Sequence, residues 1–337
     1  MVATYGYEES LPRLPVPKLS ATMQQFLSAI KPLVTQEEYS ELLTEASDFV
    51  ANGIVNAVQK HLVAALQHPE HSCYLNSIND EVNPGIYGEL NNDILPRNPY
   101  LVLEEDPYAQ TITPPNQAQR LASLINLTLK FILAMRSRTL PPDVTPKNKN
   151  PLTMYCYRNI FATTRVPAEN HISMRKYEKQ SHILIICNNQ YYALDVLTED
   201  NRIWFNDHEL LLALQEIIDE LQSEDIIQRV NNSIGSLTTQ RFKMWKLARQ
   251  ELETSNSDLL HTIDLALFVL VLDQNSPKTD QEKTSVISHG TLETLQGTSI
   301  QTGSCTCRWH DKHQLIVNKN SVAGGGREAG WMEATAN

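Results

Sequence analysis

An unbroken apolar run, Leu267-Phe-Val-Leu-Val-Leu272, sets the first limit on the fold of this chain. Strands that are buried on both faces have this composition, because neither side of the strand meets water. The longest apolar run extends from Leu265 to Leu272. A bilayer is crossed by about 20 such residues, so no transmembrane segment is predicted. A central strand of this kind needs covering elements on both faces, which predicts an α/β fold.

Other periodic segments supply the neighbours of this strand. The β-prone runs His182–Cys187 and Gln190–Val196 are joined by Asn188-Asn189, a pair that tolerates the positive φ of a tight hairpin turn. Residues Gln314–Val317 form an apolar strand that enters an Asn-Lys-Asn-Ser hairpin turn. Thr35-Gln-Glu-Glu38 is predicted to be a capping box that starts a helix. Apolar spacing and capping residues predict helices at Met23–Ile30, from Thr35 to about Leu66, and at Leu121–Met135, Asn206–Leu221, Arg241–Leu252 and Leu259–Leu265. Together these segments predict a mixed β-sheet flanked by helices.

The proline-rich segment Leu11-Pro-Arg-Leu-Pro-Val-Pro-Lys-Leu19 is predicted to be an extended arm, since each proline fixes φ and removes a backbone donor. Its immediate passage into a helix favours packing of the arm on its own domain. The alternative is a ligand for a proline-reading partner, which would make the protein a cytosolic scaffold.

Composition excludes some classes of protein. The chain has 337 residues, of which 41% are hydrophobic, so it can bury a sizeable core. Its net charge of -11 argues against a nucleic-acid partner, because phosphate binding needs a field of Lys and Arg; a local basic groove stays open. The sequence shows no signal peptide, transit peptide or peroxisomal C-terminal tripeptide, so we expect a cytoplasmic location.

The cysteines and glycines do not indicate a metal or phosphate site. Only Cys305 and Cys307 lie close together, and a lone Cys-x-Cys lacks the second ligand pair of a zinc site. The cysteines are therefore predicted to be reduced thiols. The cluster Gly324–Gly326 is not followed by the Lys-Ser/Thr of a phosphate-binding loop, and we predict a flexible tail there.

The histidines offer one close pair, His310 and His313 in Trp-His-Asp-Lys-His. Beside Asp311 this pair could support general-base chemistry. A turn that precedes a strand explains the same residues, and the sequence favours that simpler interpretation.

Five ordered stretches resemble the choline/carnitine acyltransferase family. They are Leu11–Met23; Tyr157–Pro167; His182–Ile186 with Tyr191–Leu197; Ile234–Thr239 with Trp245–Arg249; and Phe268–Asp273, followed by Arg308–Lys312 and Gln314–Val317. The resemblance extends over nearly the whole chain to about Gly324, and its extent is most similar to that of fungal carnitine acetyltransferases.

The resemblance implies a coenzyme A-dependent acyltransferase fold like that of chloramphenicol acetyltransferase, in which two similar domains bury a tunnel. It implies reversible transfer of an acyl group between coenzyme A and the hydroxyl of carnitine or choline, with one histidine as general base. Coenzyme A is then a substrate, and no tightly bound cofactor and no metal are expected. Only the first domain would be present here, so we expect the second domain to be missing.

The family's histidine lies in a Glu-His-Ser/Thr context a few residues beyond a Val-Ala-Gly like Val322–Gly324. In this chain Gly325–Met332 takes that position, and no histidine follows His313. The resemblance therefore assigns no catalytic, cofactor-binding or metal residue. Relatives also carry a tryptophan-rich segment near the position of Asn76–Leu90 that lines the carnitine site, whereas the first tryptophan here is Trp204.

These observations predict an N-terminal arm with helices over residues 1–66, an incomplete first acyltransferase domain over residues 67–324 and a non-family tail over residues 325–337. We expect a truncated carnitine O-acyltransferase-like protein, acetyl-transferring by family, that lacks activity. The alternative is a non-catalytic binding or regulatory protein that associates with a full-length acyltransferase through an exposed domain face.

Overall fold

The computed structural model describes residues 2–67, 73–75, 100–105, 116–169, 172–220, 233–240, 242–289 and 308–326. The chain divides into two compact units, one made of Val2–Asp80 and Pro141–Met154, the other of Glu81–Leu140 and Tyr155–Asn337. The predicted domain boundary after residue 66 stays a prediction.

The described part of the first unit includes the α-helices α1 (Leu19–Ile30), α2 (Gln36–Ala51) and α3 (Gly53–Leu66). The predicted capping box at the start of α2 is confirmed: Thr35 Oγ1 accepts from the Glu38 amide, and the Glu38 carboxylate accepts from the Thr35 amide. The predicted helix from Thr35 to about Leu66 is interrupted at Asn52, whose side chain accepts from the Ile54 amide and caps α3.

Residues 12–18 of the proline-rich arm lie in neither a helix nor a strand, as the prolines predict. Arg13 Nη1 donates to the Leu66 carbonyl at 2.6 Å, and Gln59 Nε2 donates to the Pro17 carbonyl at 2.8 Å. Both partners belong to α3, so the arm packs on its own unit, as predicted.

Among the described residues, the second unit is built on a mixed sheet with the strands β1 (Tyr100–Val102), β4 (His182–Cys187), β5 (Gln190–Asp195), β6 (Val269–Asp273), β7 (Gln314–Asn318) and β8 (Ala323–Gly326). These six strands are arranged in the order β1-β8-β7-β6-β4-β5. Strand β6 runs parallel to β4 and β7, whereas the β4–β5, β7–β8 and β1–β8 pairs are antiparallel. The mixed sheet and the central position of the apolar run are confirmed.

The two predicted hairpins are present. Asn188 and Asn189 connect β4 to β5 with φ values of 49° and 62°, the left-handed conformation that asparagine tolerates. The Asn-Lys-Asn-Ser segment connects β7 to β8, with Ser321 at φ 68°. A further hairpin, β2 (Thr163–Pro167) with β3 (Ile172–Lys176), was not predicted from the sequence.

Helices cover both faces of the sheet. They are α4 (Gln117–Arg136), α5 (Asp207–Glu220), α6 (Phe242–Ser255), α7 (Ser257–Leu265) and α8 (Asp280–His289). Leu270 and Leu272 of β6 pack in one core cluster with residues of α4 and α5, while Val269 and Val271 pack in another with residues of α6, α7 and α8. This alternation follows from the two-residue period of a strand. Within the described ranges, none of the helices is both long and apolar enough to cross a membrane.

The prediction of a flexible tail at Gly324–Gly326 is wrong. These glycines form most of β8, between β7 and β1. A Cβ on Gly324 would lie 2.6 Å from the Leu101 carbonyl oxygen and 2.5 Å from Ile287 Cγ2, so glycine is needed for close packing rather than for flexibility. Residues 327–337 of the predicted tail lie outside the described residues.

Candidate functional site

Five consecutive residues, Arg308-Trp-His-Asp-Lys312, form the turn that leads into β7; we name this segment the charged turn. Each of its side chains is at most 1% exposed. Burial of charged side chains is costly unless each meets a partner. The partners therefore define what the charged turn does.

Arg308 pairs with the last residue of the central strand. Its Nη2 donates to Asp273 Oδ2 at 2.8 Å and to the Val286 carbonyl of α8 at 2.8 Å. The interaction joins the start of the charged turn to β6 and α8.

Asp311 pairs with Arg165 of β2. Arg165 Nε and Nη2 lie 2.7 Å and 2.6 Å from Asp311 Oδ1, and Arg165 Nη2 also donates to the Thr238 carbonyl at 3.0 Å. The Arg165 amide donates to the Asp311 carbonyl at 2.9 Å. Burial raises the pKa of the Asp311 carboxyl, and the Arg165 guanidinium opposes that rise.

Lys312 donates through Nζ to the Asp264 carbonyl at 2.7 Å and to the Thr163 carbonyl at 3.2 Å. Burial lowers the pKa of Lys312 to about 7, although Asp264 and Asp311 favour its charged form. The Asp264 carboxylate in turn accepts from Arg249 of α6. The charged turn is thus connected to β2, α6 and α7.

Trp309 fixes the turn against the apolar layer on this face of the sheet. Its ring meets Tyr191 and Trp245 edge-to-face, with ring centroids 6.2 Å and 6.0 Å apart. Gln314 Oε1 accepts from the Trp309 amide at 3.2 Å. A Cβ on Gly235, in the short 3₁₀ helix Ile234–Thr239, would overlap the Arg308 carbonyl, so the two segments pack with their backbones close together.

The two candidate histidines are packed against protein in the part of the chain that the structure describes. His310 is 1% exposed, and its amide donates to Thr238 Oγ1 at 3.2 Å. His313 is partly buried and contacts the Phe161 ring edge-to-face at 5.6 Å. Asp311 is directed to Arg165. This geometry favours the interpretation of a structural turn before a strand.

The position at which the family's histidine is expected, just after Gly324, falls partly on β8 and otherwise outside the described residues. Cys305, Cys307 and all of Asn76–Leu90 also lie outside the described residues. Among the residues that the structure describes, no group of His, Cys, Asp and Glu side chains could hold a metal ion.

The motif stretches of the second unit meet at the charged turn, and this explains several of their charged residues. Arg165, Arg249, Asp273 and Asp311 each lie in a stretch that the sequence analysis singled out, yet their pairing was not predicted. Asp264 was missed altogether; the available signal was a carboxylate placed directly before the buried apolar run. Chemically, the network links β2, β6, β7 and α6, and the charged side chains of the charged turn itself are directed at protein groups.

Comparison with known proteins agrees with these motifs. Residues 14–337 match the family model described as Choline/Carnitine o-acyltransferase. Carnitine O-acetyltransferase YAT2 of Saccharomyces cerevisiae is 31% identical over 406 aligned residues, which cover 95% of this chain and 43% of that protein. A putative mitochondrial carnitine O-acetyltransferase of the same yeast is 30% identical, covering 94% of this chain and 49% of the relative.

A third relative is the mitochondrial carnitine O-palmitoyltransferase 2 of Mus musculus, 27% identical over all of this chain and 52% of the relative. The chain therefore spans about half the length of the curated relatives that it matches.

Proposed function

We propose, since the chain belongs to the choline/carnitine O-acyltransferase family, that the protein takes part in reversible acyl transfer between coenzyme A and carnitine. In this reaction the thioester C–S bond breaks, a C–O bond forms to the carnitine hydroxyl, and the hydroxyl proton passes through a general base to the departing thiolate. The observation that carries the proposal is the family match over residues 14–337, within which the motif residues converge on one buried network.

The proposed acceptor is carnitine and the proposed acyl group is acetyl. The two yeast relatives with acetyltransferase names are 31% and 30% identical, against 27% for the mouse palmitoyltransferase. These identities are close, so the acetyl group is the part of the proposal that depends most on direct assay. Coenzyme A and its acetyl ester are substrates in this scheme rather than resident cofactors.

The described residues act in this scheme as scaffold. Acyl transfer needs a base within hydrogen-bond reach of the attacking hydroxyl or thiol, and His310 is buried inside the charged turn. We propose that the charged turn sets the position of the β7–β8 hairpin and that the base is not supplied by the described residues. We expect the 337-residue chain alone to be inactive, because Gly325–Met332 holds no histidine where the family has its Glu-His-Ser/Thr.

The test uses the endogenous protein, isolated with an antibody against a surface helix such as α5. The isolated protein is assayed for coenzyme A release from acetyl-CoA with carnitine or choline, and then with palmitoyl-CoA as donor. The expected result is release that depends on carnitine and is faster with the acetyl donor. Release that is equal without any acceptor, or that depends on choline, would overturn the proposal.

A second candidate, association with a full-length acyltransferase, is favoured by one observation. Strand β1 lies at the edge of the six-stranded sheet, and Leu101 in its centre is 72% exposed. Exposed edge strands pair readily with other chains. Sedimentation of the chain mixed with a purified yeast relative tests this: a shared boundary that is lost with Leu101→Lys supports association, and two independent boundaries contradict it.

A further inference from the structure

A cleft of about 290 Å³ lies between the β2–β3 hairpin and α6; we name it the hairpin cleft. Its ionic lining consists of Glu169 and Arg175 from the hairpin and of Lys246, Arg249 and Glu253 from α6. The volume is enough for a small ligand of a few heavy atoms, although smaller than most drug-sized sites. The charged turn contributes none of these lining residues.

Arg249 lines the cleft although the residue is only 2% exposed. Its Nη2 donates to Asp264, and its Nε lies 3.5 Å from the Glu253 carboxylate, an ion pair without hydrogen-bond geometry. Among the described residues, Nη1 has no hydrogen-bond acceptor. A buried arginine donor without an acceptor is expensive, so an acceptor from outside the chain would be strongly favoured.

The neighbouring cations point to the charge of that acceptor. Lys246 donates to the Glu169 carbonyl at 2.7 Å, which holds its ammonium at the cleft, and Arg175 adds a second cation. The opposing carboxylates, Glu169 and Glu253, are both exposed and can turn towards water. The charge of Arg249 is balanced by the buried Asp264, whereas Lys246 is partly buried and donates to a carbonyl, so the remaining fixed charge of the cleft is positive.

We propose that the hairpin cleft binds a small oxyanion, a phosphate or carboxylate group, through Arg249 and Lys246. Charge-assisted hydrogen bonds to such groups are the ones that a guanidinium and an ammonium form best. The inference does not depend on the acyl-transfer proposal, since it uses neither the charged turn nor the missing histidine.

The test is calorimetric titration of the full chain with sodium phosphate and, separately, with sodium succinate, at ionic strength held constant with chloride. Saturable binding of either anion is expected, and the anion that binds more tightly shows whether the cleft prefers a phosphate or a carboxylate group. Lys246→Gln should weaken that binding about tenfold, the loss expected for one charge-assisted hydrogen bond. Arg249→Lys, which keeps a cation beside Asp264 but removes Nη1, should weaken it by at least as much.

The matched control is Lys243→Gln, an exposed cation on the same helix that does not line the cleft. It should leave binding unchanged, and Glu253→Gln should strengthen it by removing a repelling charge. If Arg249→Lys fails to fold, the comparison of Lys246→Gln with Lys243→Gln still shows whether the anion binds in the hairpin cleft. An absence of saturable binding to both anions, or equal weakening by Lys243→Gln and Lys246→Gln, would overturn the proposal.

Discussion

The buried pair of Arg165 and Asp311 shows at the scale of single residues why the charged turn has one conformation. Its two short contacts are supported by the Thr238 carbonyl and by the Arg165 amide, so the carboxylate and the guanidinium are held by several groups at once. Burying both charges costs desolvation energy, and the pair is therefore better evidence for a specific conformation than for added stability.

Removing one member of this pair should be severe. Asp311→Ala leaves Arg165 buried without its carboxylate, and we expect a loss of about 3–5 kcal/mol in the free energy of unfolding. Urea unfolding monitored by tryptophan fluorescence measures this loss. The control is Arg202→Ala, which breaks an exposed pair with Asp200 and should have little effect. Similar midpoints for the two variants would contradict the role given to Asp311.

Lys312 should make stability depend on pH. Its pKa is about 7 in the folded protein, below its ordinary value of 10.5, so between these values the unfolded chain binds more protons. Stability from this residue therefore rises with pH above about 7, by at most ~1.4 kcal/mol per pH unit. Below pH 7 the penalty for charging the buried amine is fully present.

The measurement compares wild type with Lys312→Met by urea unfolding at pH 7 and pH 9. The difference in unfolding free energy, wild type minus variant, should become more positive at pH 9, because the other titrating groups are common to both proteins. An unchanged or decreasing difference would show that Lys312 is not held with a lowered pKa.

At the scale of elements, the β7–β8 hairpin depends on a glycine. Gly324→Ala places a methyl group against the Leu101 carbonyl and Ile287, and we expect destabilisation of about 1–3 kcal/mol from overpacking. Gly325→Ala is the matched control, because its added Cβ would meet its nearest neighbours at 3.5 Å and 3.6 Å. Thermal unfolding of both variants should show a clear loss only for Gly324→Ala.

The elements differ in how far the sequence predicts them. The capping box at Thr35, the Asn188-Asn189 turn and the apolar strand β6 depend on local signals, and all three were predicted. Strand β8 was missed because its residues carry no apolar pattern, and it becomes a strand only by pairing with β7 and β1.

The candidate site shows the same limit more strongly. The resemblance picked out the stretches that contain Arg165, Arg249 and Asp311, but ion pairs between residues up to 146 positions apart leave no local trace. Charged residues are also usually predicted to be exposed, whereas Lys312 is 1% exposed in the fold.

At the scale of the whole molecule, the chain has the fold and the family motifs of a carnitine acyltransferase over about half the length of its relatives. We therefore propose that acyl transfer by this protein requires groups beyond the described residues. The described residues supply the scaffold that includes β7 and β8.

The most direct test is coenzyme A release from acetyl-CoA by the purified 337-residue chain, with and without carnitine. A yeast carnitine O-acetyltransferase assayed in parallel provides the reference rate of coenzyme A release. We predict no carnitine-dependent release above background, because the family's Glu-His-Ser/Thr is not found after Gly324 and the candidate histidines His310 and His313 are buried and partly buried. Carnitine-dependent release at a rate comparable to that of the yeast enzyme would contradict the account, since the general base would then lie within this chain.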